Sequence, residues 1–351
     1  MNKTPVGILG ATGVVGQRFV QLLDDHPWFE VSCLAASNRS AGQRYGESCD
    51  WHLPGRMPAR AADMTVNPIQ DLGDAPLYFS ALPTEIAGQI ESRLASRGAI
   101  VCSNAAAHRL DPDVPLIIPE VNLDHFELLT VQKARRGWEG ALICSPNCSA
   151  TQLTLALKPI QERFGIEAIM VTTLQALSGA GYPGVASMDI AGNVIPYIAG
   201  EEEKIQKEVI KLLGEQAGGE VTPADCSVSA TCTRVAVREG HLMSVSLKMR
   251  ENASLETLEA SMAEFRPGEL VSGLPSTPEI PIHVSVQRNR PQPVLDLLAG
   301  QGMAVSIGRL RACPVLDVQF IVLGHNTIRG AAGGAIHNAE CVHALGWLDG
   351  C

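Results

Sequence analysis

The chain has 351 residues, 46% of them apolar and 18% charged, with a formal net charge of -10. That length exceeds what one compact core accommodates and implies two domains, while the composition excludes wholesale disorder. The acidic balance, with no Lys/Arg-rich run, excludes a nucleic-acid footprint; no apolar stretch reaches membrane-spanning length and the N-terminus lacks a secretory pattern, so no membrane partner is expected.

Residues 5–37 predict a strand, a Gly-rich turn, a helix and a second strand. The first strand, residues 5–9, runs into Gly10-Ala11-Thr12-Gly13-Val14-Val15-Gly16. Phe19, Val20, Leu22 and Leu23 follow at helical spacing, and His26-Pro27 breaks the pattern. Residues 31–36 read as the second strand, 77–81 and 99–102 as two more, with an amphipathic helix over 85–97. Alternating strand and helix predicts an α/β, Rossmann-like, doubly wound parallel sheet. Residues 149–158 form a strong helix pattern that Pro159 should stop. Beyond it, β-branched runs at 169–174, 228–237, 243–248 and 315–323 predict an α+β domain with a mostly antiparallel sheet, with helices at 201–213 and 254–264. The expected division is a nucleotide-binding domain at 1–146 and a catalytic and dimerisation domain at 147–325. A final helix within 326–351 should pack back on the first domain.

Gly10-x-x-Gly13-x-x-Gly16 has the strand-to-helix context of a dinucleotide loop. Glycines let the backbone approach a pyrophosphate, whose charge meets the helix N-terminus; the plainer reading is a tight turn without a ligand. At the end of the second strand, an Asp or Glu would take the ribose hydroxyls of NAD. This chain has Ser37-Asn38-Arg39-Ser40 instead. Arg39 and Ser40 suit a 2′-phosphate and favour NADP, though Arg39 also reads as a solvated loop charge.

Ten cysteines scattered through so long a chain read as reduced thiols in the cytoplasm, not as a disulfide framework. Neither Cys144 with Cys148 nor His337 with Cys341 has the repeated spacing of a structural zinc site, so no metal is expected. Cys33, Cys102 and Cys313 read as small buried hydrophobes. Cys148 differs: it stands at a helix start among polar neighbours, where amides and dipole should hold its thiol below the usual ~8.5. Arg234 and His241, on a strand and its adjoining turn, suit a carboxylate fork and acid–base work. Spacing alone does not single them out from the other Arg and His residues.

These residues resemble aspartate-semialdehyde dehydrogenases, particularly the archaeal and fungal branch, over nearly the whole chain. The markers are GATGVVG at Gly10, SNAAAHR and DVPLIIPEVN from Ser103, SPNCSAT around Cys148, LQALSGAGYPG from Leu174, GEEEKI from Gly200 and GHNTIRGAAGG from Gly324. The resemblance implies that Cys148 is the nucleophile, His241 the acid–base catalyst, and Gln175 the residue that orients the intermediate. It implies Arg234 for the substrate α-carboxylate, Glu201 for its amino group, and Arg109 and Lys204 for phosphate, with Ser103 and Asn122 nearby. For the cofactor it implies Gly10, Thr12, Gly13, Val14, Val15, Ser37, Arg39, Ser40, Ser80, Ala81 and Leu82, with Ser178 and Gly179 lining the cleft and Asn326 beside the nicotinamide.

The implied reaction is NADPH-dependent reductive dephosphorylation of aspartyl phosphate to aspartate semialdehyde through a Cys148 thioester, on the route to lysine, methionine and threonine. The implied partners are those small molecules and phosphate, and the implied assembly is a homodimer or homotetramer built through the second domain's sheet. Thr233 and Ala236 depart from close relatives, which often carry Asn and Pro there. Which of Glu201, Glu202 and Glu203 meets the amine is open. A malonyl-CoA reductase on the same scaffold is the nearest rival, disfavoured by Glu201 with Lys204. N-acetyl-glutamyl-phosphate reductase fits the Arg109 and GHNTIRG contexts poorly. A non-catalytic paralogue should have lost the cysteine, the histidine or the glycine loop, and all three are present.

Overall fold

In the computed structural model, which describes residues 3–348, the first half forms a six-stranded sheet. Its strands are β1 (Thr4–Leu9), β2 (Phe29–Ala36), β3 (Val66–Pro68), β4 (Leu77–Ser80), β5 (Ile100–Ser103) and β6 (Ala141–Cys144), in the order β3-β2-β1-β4-β5-β6. Every pairing is parallel. β4, β5 and β6 are buried along their whole length, which is why they read as continuous apolar runs in the sequence. The helix Val14–Leu23 leaves the glycine turn, and Thr84–Ser96 connects β4 to β5. The strand order reverses between β1 and β4, so their carboxyl ends open a crevice where such sheets bind ligands.

The second sheet holds β7 (Ile166–Gln175), β10 (Ser227–Arg234), β11 (His241–Met249), β12 (Ile282–Ser285), β13 (Val305–Ala312) and β14 (Val318–Gly324); β8 (Glu215–Ala217) and β9 (Glu220–Thr222) form a separate ribbon. Its order is β10-β7-β11-β14-β13-β12. The centre is antiparallel, as expected, while β10 and β12 add parallel pairings at the edges, so the sheet is mixed. The helix Cys148–Phe164 lies on one face, against β7, β11, β13 and β14. On β7, Ile169, Val171 and Thr173 are buried while Met170 and Thr172 are exposed, the alternation of a sheet covered on one side.

Several boundaries differ from the sequence reading, among them the strand expected to run to 237, which ends at Arg234. The helix after Cys148 does not stop at Pro159 but continues to Phe164. Proline in a helix interior costs roughly 3 kcal/mol. Burial of Leu153, Leu155, Leu157 and Ile160, each with no exposure, outweighs that cost. The run expected from 315 begins only at Val318, because Val315 is exposed in the preceding turn. The final helix, Gly333–Ala344, packs against β4, β5 and the helix Val14–Leu23, so the chain returns to the first sheet. The end of the range expected for it, 349–351, lies outside the described residues. No helix among the described residues is long and apolar enough to cross a membrane.

Candidate active site

The glycine turn closes the end of β1 against its neighbours. Gly10 has φ +78°, and a Cβ there would come within 2.7 Å of the Ala81 carbonyl oxygen. A Cβ on Gly16 would stand 2.7 Å from Ala11 Cα, so helix and strand approach as closely as glycine alone permits. Gly13 caps the helix with no side-chain acceptor, which leaves first-turn amides facing the crevice.

A cavity of about 1090 Å³ runs from this turn to Cys148. Thr12, Gly13, Val14, Val15, Arg39, Ser40 and Ala81 line one end. Ser178, Gly179 and Asn326 line the middle, and Arg109, Cys148, Glu201 and Lys204 the other end. The glycine cradle and the Arg39–Ser40 pair fit a dinucleotide bearing a 2′-phosphate. Four expected cofactor residues are not on the wall. Gly10 lies beneath the turn, Ser80 and Leu82 are buried, and Ser37 is exposed with its carbonyl oxygen accepting from Ser40 N at 2.9 Å. Several wall residues were given no role by the sequence reading, among them Asn104, Asn147, Gly330 and the stacked rings of His52 and Tyr182, whose centroids are 3.7 Å apart.

Cys148 is the first residue of its helix, and the side chain of Asn147 caps that helix by accepting from Ser149 N at 2.9 Å and Ala150 N at 3.1 Å. The Asn147 amide donates to Glu201 Oε1 at 2.8 Å, and Gln175 Nε2 reaches the same oxygen at 3.1 Å. Lys204 Nζ stands 4.0 Å from Glu201 Oε2. Glu201, Lys204, Glu208 and Lys211 share one face of the helix Glu201–Leu212. Glu208 had no sequence signal: it accepts from Arg109 Nη1 at 2.9 Å and from Asn147 N at 2.5 Å. Lys211 donates to the carbonyls of Arg109, Asp111 and Val114, fixing the loop that carries Arg109. Of the three consecutive acids, Glu201 faces the cavity, Glu202 accepts from Cys232 N at 2.9 Å, and Glu203 is exposed.

Gln175, Arg234 and His241 lie just behind the wall. A Cβ on Gly179 would come within 2.8 Å of Arg234 Nη1 and 3.1 Å of His241 Nε2, so only glycine leaves these groups room. Arg234 Nη1 donates to the Ala176 carbonyl at 2.6 Å. His241 Nδ1 accepts from Ala176 N at 3.1 Å, which assigns the ring proton to Nε2, an atom with no protein partner. Burial, and then Arg234, hold the His241 imidazole down at about 3, so it is neutral at physiological pH. Asn326 bridges three segments, accepting from Gly240 N and donating to Ser178 Oγ, both at 2.8 Å.

Burial and the Glu201 carboxylate push the Cys148 thiol up to about 12, against the pull of Arg109, the Ser149 amide and Arg234. This corrects the expectation of a thiol held below its usual range: the helix terminus is outweighed by a low-dielectric site with a carboxylate nearby. A Cβ on Gly330 would come within 2.6 Å of Cys148 Cβ. The neighbouring Arg329 is clamped by two 2.7 Å bonds to Glu120, in a pair with almost no exposure.

Asn122 and Ser103, expected near the phosphate, do not line the cavity. Asn122 Oδ1 accepts from Ile118 N at 2.9 Å, and its Nδ2 is taken by the Leu116 carbonyl and His125 Nδ1, so the amide is used up within its own loop. Ser103 Oγ donates to Glu91 at 2.6 Å and accepts from Ala105 N at 3.0 Å, under the cavity floor.

The two sheets, the glycine turn and the shared cavity define a dehydrogenase of the dinucleotide-binding α/β class. Residues 5–129 match the family described as semialdehyde dehydrogenase, NAD binding domain, and residues 157–329 that described as semialdehyde dehydrogenase, dimerisation domain. The chain is 47% identical to an aspartate-semialdehyde dehydrogenase of Methanothermobacter thermautotrophicus, covering 97% of this chain and 99% of that protein. It is 42% identical to the enzyme of that name from Saccharomyces cerevisiae, covering 98% of each. The crystal structure of the Candida albicans enzyme with NADP superimposes with a TM-score of 0.90 at 40% identity, over 98% of this chain and 99% of that one. The chain belongs to the aspartate-semialdehyde dehydrogenase family.

Proposed function

We propose that this protein catalyses the NADP-dependent interconversion of L-4-aspartyl phosphate and L-aspartate 4-semialdehyde through a thioester on Cys148. The observation that carries this reading is one cavity joining a dinucleotide cradle to a cysteine flanked by Arg109, Lys204 and Glu201. The last three match the charges of an amino-acid acyl phosphate: cations for the phosphoryl group and a carboxylate for the ammonium.

Cys148 sulfur attacks the acyl carbon and phosphate leaves toward Arg109 and Lys204, so one difficult displacement becomes two easier steps. Bound NADPH supplies a hydride in one direction, and NADP accepts one in the other. Arg234 grips the α-carboxylate and Gln175 orients the acyl carbon. Because Nδ1 of His241 is held by the Ala176 amide, Nε2 is the atom that exchanges a proton with the reacting oxygen. Arg109, the Ser149 amide and Arg234 are the groups that favour the Cys148 thiolate against burial and Glu201.

The domain assignment is residues 1–146 for nucleotide binding, with the C-terminal helix added, and 147–325 for catalysis and dimerisation. A homodimer or homotetramer, formed through the exposed face of β7 around Met170 and Thr172, is consistent with the dimerisation-domain match. The expected setting is the cytoplasm, on the route to lysine, methionine and threonine.

The test is phosphate-dependent reduction of NADP by the purified protein with L-aspartate β-semialdehyde, alongside a malonyl-CoA/NADPH assay. Turnover should require phosphate and nearly vanish in Cys148→Ser, with NADP binding retained. Silence with the semialdehyde and oxidation of NADPH with malonyl-CoA would overturn the substrate.

A further inference from the structure

Arg18 and Glu239 meet where the two halves of the chain adjoin, and neither lines the cavity. Arg18, on the helix Val14–Leu23, donates through Nη2 to Glu239 Oε1 at 3.0 Å and through Nη1 to Gln21 Oε1 at 2.7 Å. The two side chains are 6% and 20% exposed, so the pair is held largely out of water. We propose that Glu239 is a positioning residue: anchored by Arg18, it sets His241, two residues along, in register with the cofactor end of the cavity. This inference rests on the proton-exchange role proposed for His241 above.

Three segments converge on Glu239, and each is joined to the cavity wall. The helix of Arg18 begins at the glycine turn, where Gly13, Val14, Val15 and Gly16 line the nucleotide end. His325 precedes the wall residues Asn326 and Thr327. Its Nδ1 accepts from Thr327 N and Ile328 N at 3.3 Å, which assigns the ring proton to Nε2, 3.7 Å from Glu239 Oε2. The third segment is the turn before His241. Ser178 N donates to the Arg238 carbonyl at 3.1 Å, and Gly240 N donates to Asn326 Oδ1 at 2.8 Å, so Glu239 is flanked by residues bound to the wall.

The proposed reaction needs such a register. In aldehyde oxidation the hemithioacetal on Cys148 becomes a thioester by releasing a hydride from carbon to NADP and its hydroxyl proton to His241 Nε2. The C–H and O–H bonds break as the C=O bond forms. The cradle for the hydride acceptor belongs to the first sheet's domain, and the proton acceptor stands on the second sheet. A shift between them misplaces one group against the other. A buried, charge-assisted bond from the cofactor helix to the histidine's own turn is a short link between the two.

The test uses Glu239→Gln, Arg18→Met and the double variant, with Glu239→Asp as the conservative control. In aldehyde oxidation, kcat per alkylatable Cys148 should fall by about tenfold or more in each single variant. The double should lose the same factor, not the product, because one link is broken either way. It also removes both charges together, so it folds even where one charge left buried destabilises a single variant. Glu239→Asp should recover most of the loss. The KM values for aldehyde and phosphate, NADP affinity and the iodoacetamide rate at Cys148 should stay within about twofold. Nitrogen NMR of labelled histidine, with His241 assigned by comparison with His241→Asn, reads the ring without turnover. The unaltered protein with NADP should show one tautomer, protonated at Nε2, and both single variants should lose that single pattern. Unchanged ring signals and kcat in the single variants overturn the inference. A double variant with full kcat also overturns it, because the pair then serves charge balance alone. So does a loss of NADP affinity equal to the loss of kcat. If the unaltered protein is inert on the semialdehyde, the ring signals still decide: a pattern that depends on Glu239 sinks the proposed reaction and leaves the positioning role standing.

Discussion

Glu208 holds Arg109 at 2.9 Å through one carboxylate oxygen, while its other oxygen takes the backbone N–H of Asn147 at 2.5 Å. One buried side chain thereby ties the cation at the substrate end to the cap of the helix that presents Cys148. Breaking a buried ion pair from one side leaves a desolvated charge uncompensated. Glu208→Gln should therefore lower stability by roughly 2–4 kcal/mol, measured by urea denaturation. Inorganic phosphate, by replacing the missing negative charge at Arg109, should restore part of the loss. A denaturation midpoint equal to that of the unaltered protein would show that Glu208 does not hold these charges.

The backbone of Gly330 lies so close to Cys148 that an added methyl would stand 2.6 Å from its Cβ. Either the 328–332 turn or the start of the Cys148 helix must then move. Gly330→Ala should reduce kcat by about a hundredfold, the scale of an ångström-sized misplacement, with a stability loss of about 1–3 kcal/mol from overpacking. Steady-state kinetics with a thermal melt reads both; normal turnover would mean that the cysteine's placement tolerates the shift.

The elevated Cys148 thiol has a direct consequence in the protein without ligands. Below about 12 the neutral form is favoured, so reactivity grows as pH rises. Iodoacetamide alkylation should climb by about tenfold per pH unit from pH 7 to 10 with no plateau. Because Glu201 is the second cause of the elevation after burial, Glu201→Gln should move the curve to lower pH. A plateau near pH 8 in the unaltered protein would mean that the thiol is activated before substrate arrives.

Arg39 is exposed on the cavity wall beside Ser40, where no residue from 37 to 40 is a carboxylate. Arg39→Glu should weaken NADP by at least about tenfold while leaving NAD within a few-fold, because only NADP carries the 2′-phosphate that the new charge would repel. Fluorescence titration with both cofactors decides it; equal losses would place the 2′-phosphate elsewhere.

Sequence alone determined the features that depend on neighbours along the chain. The Gly10–Gly16 turn, the helix start beside Cys148 and the strand-helix alternation of the first half are written in short-range spacing, because backbone conformation and element period are local properties. The parallel character of the first sheet followed from apolar runs separated by helix-forming segments. Tertiary structure decided what depends on contacts across the chain. Glu120 clamps Arg329 across 209 positions, and Glu208 reaches Arg109 across 99, with no periodicity to announce either. The same holds for the spent amide of Asn122 and for the elevated thiol. Each turns on which polar atoms are buried and which already have partners, and burial is a property of the packed molecule, not of residue order.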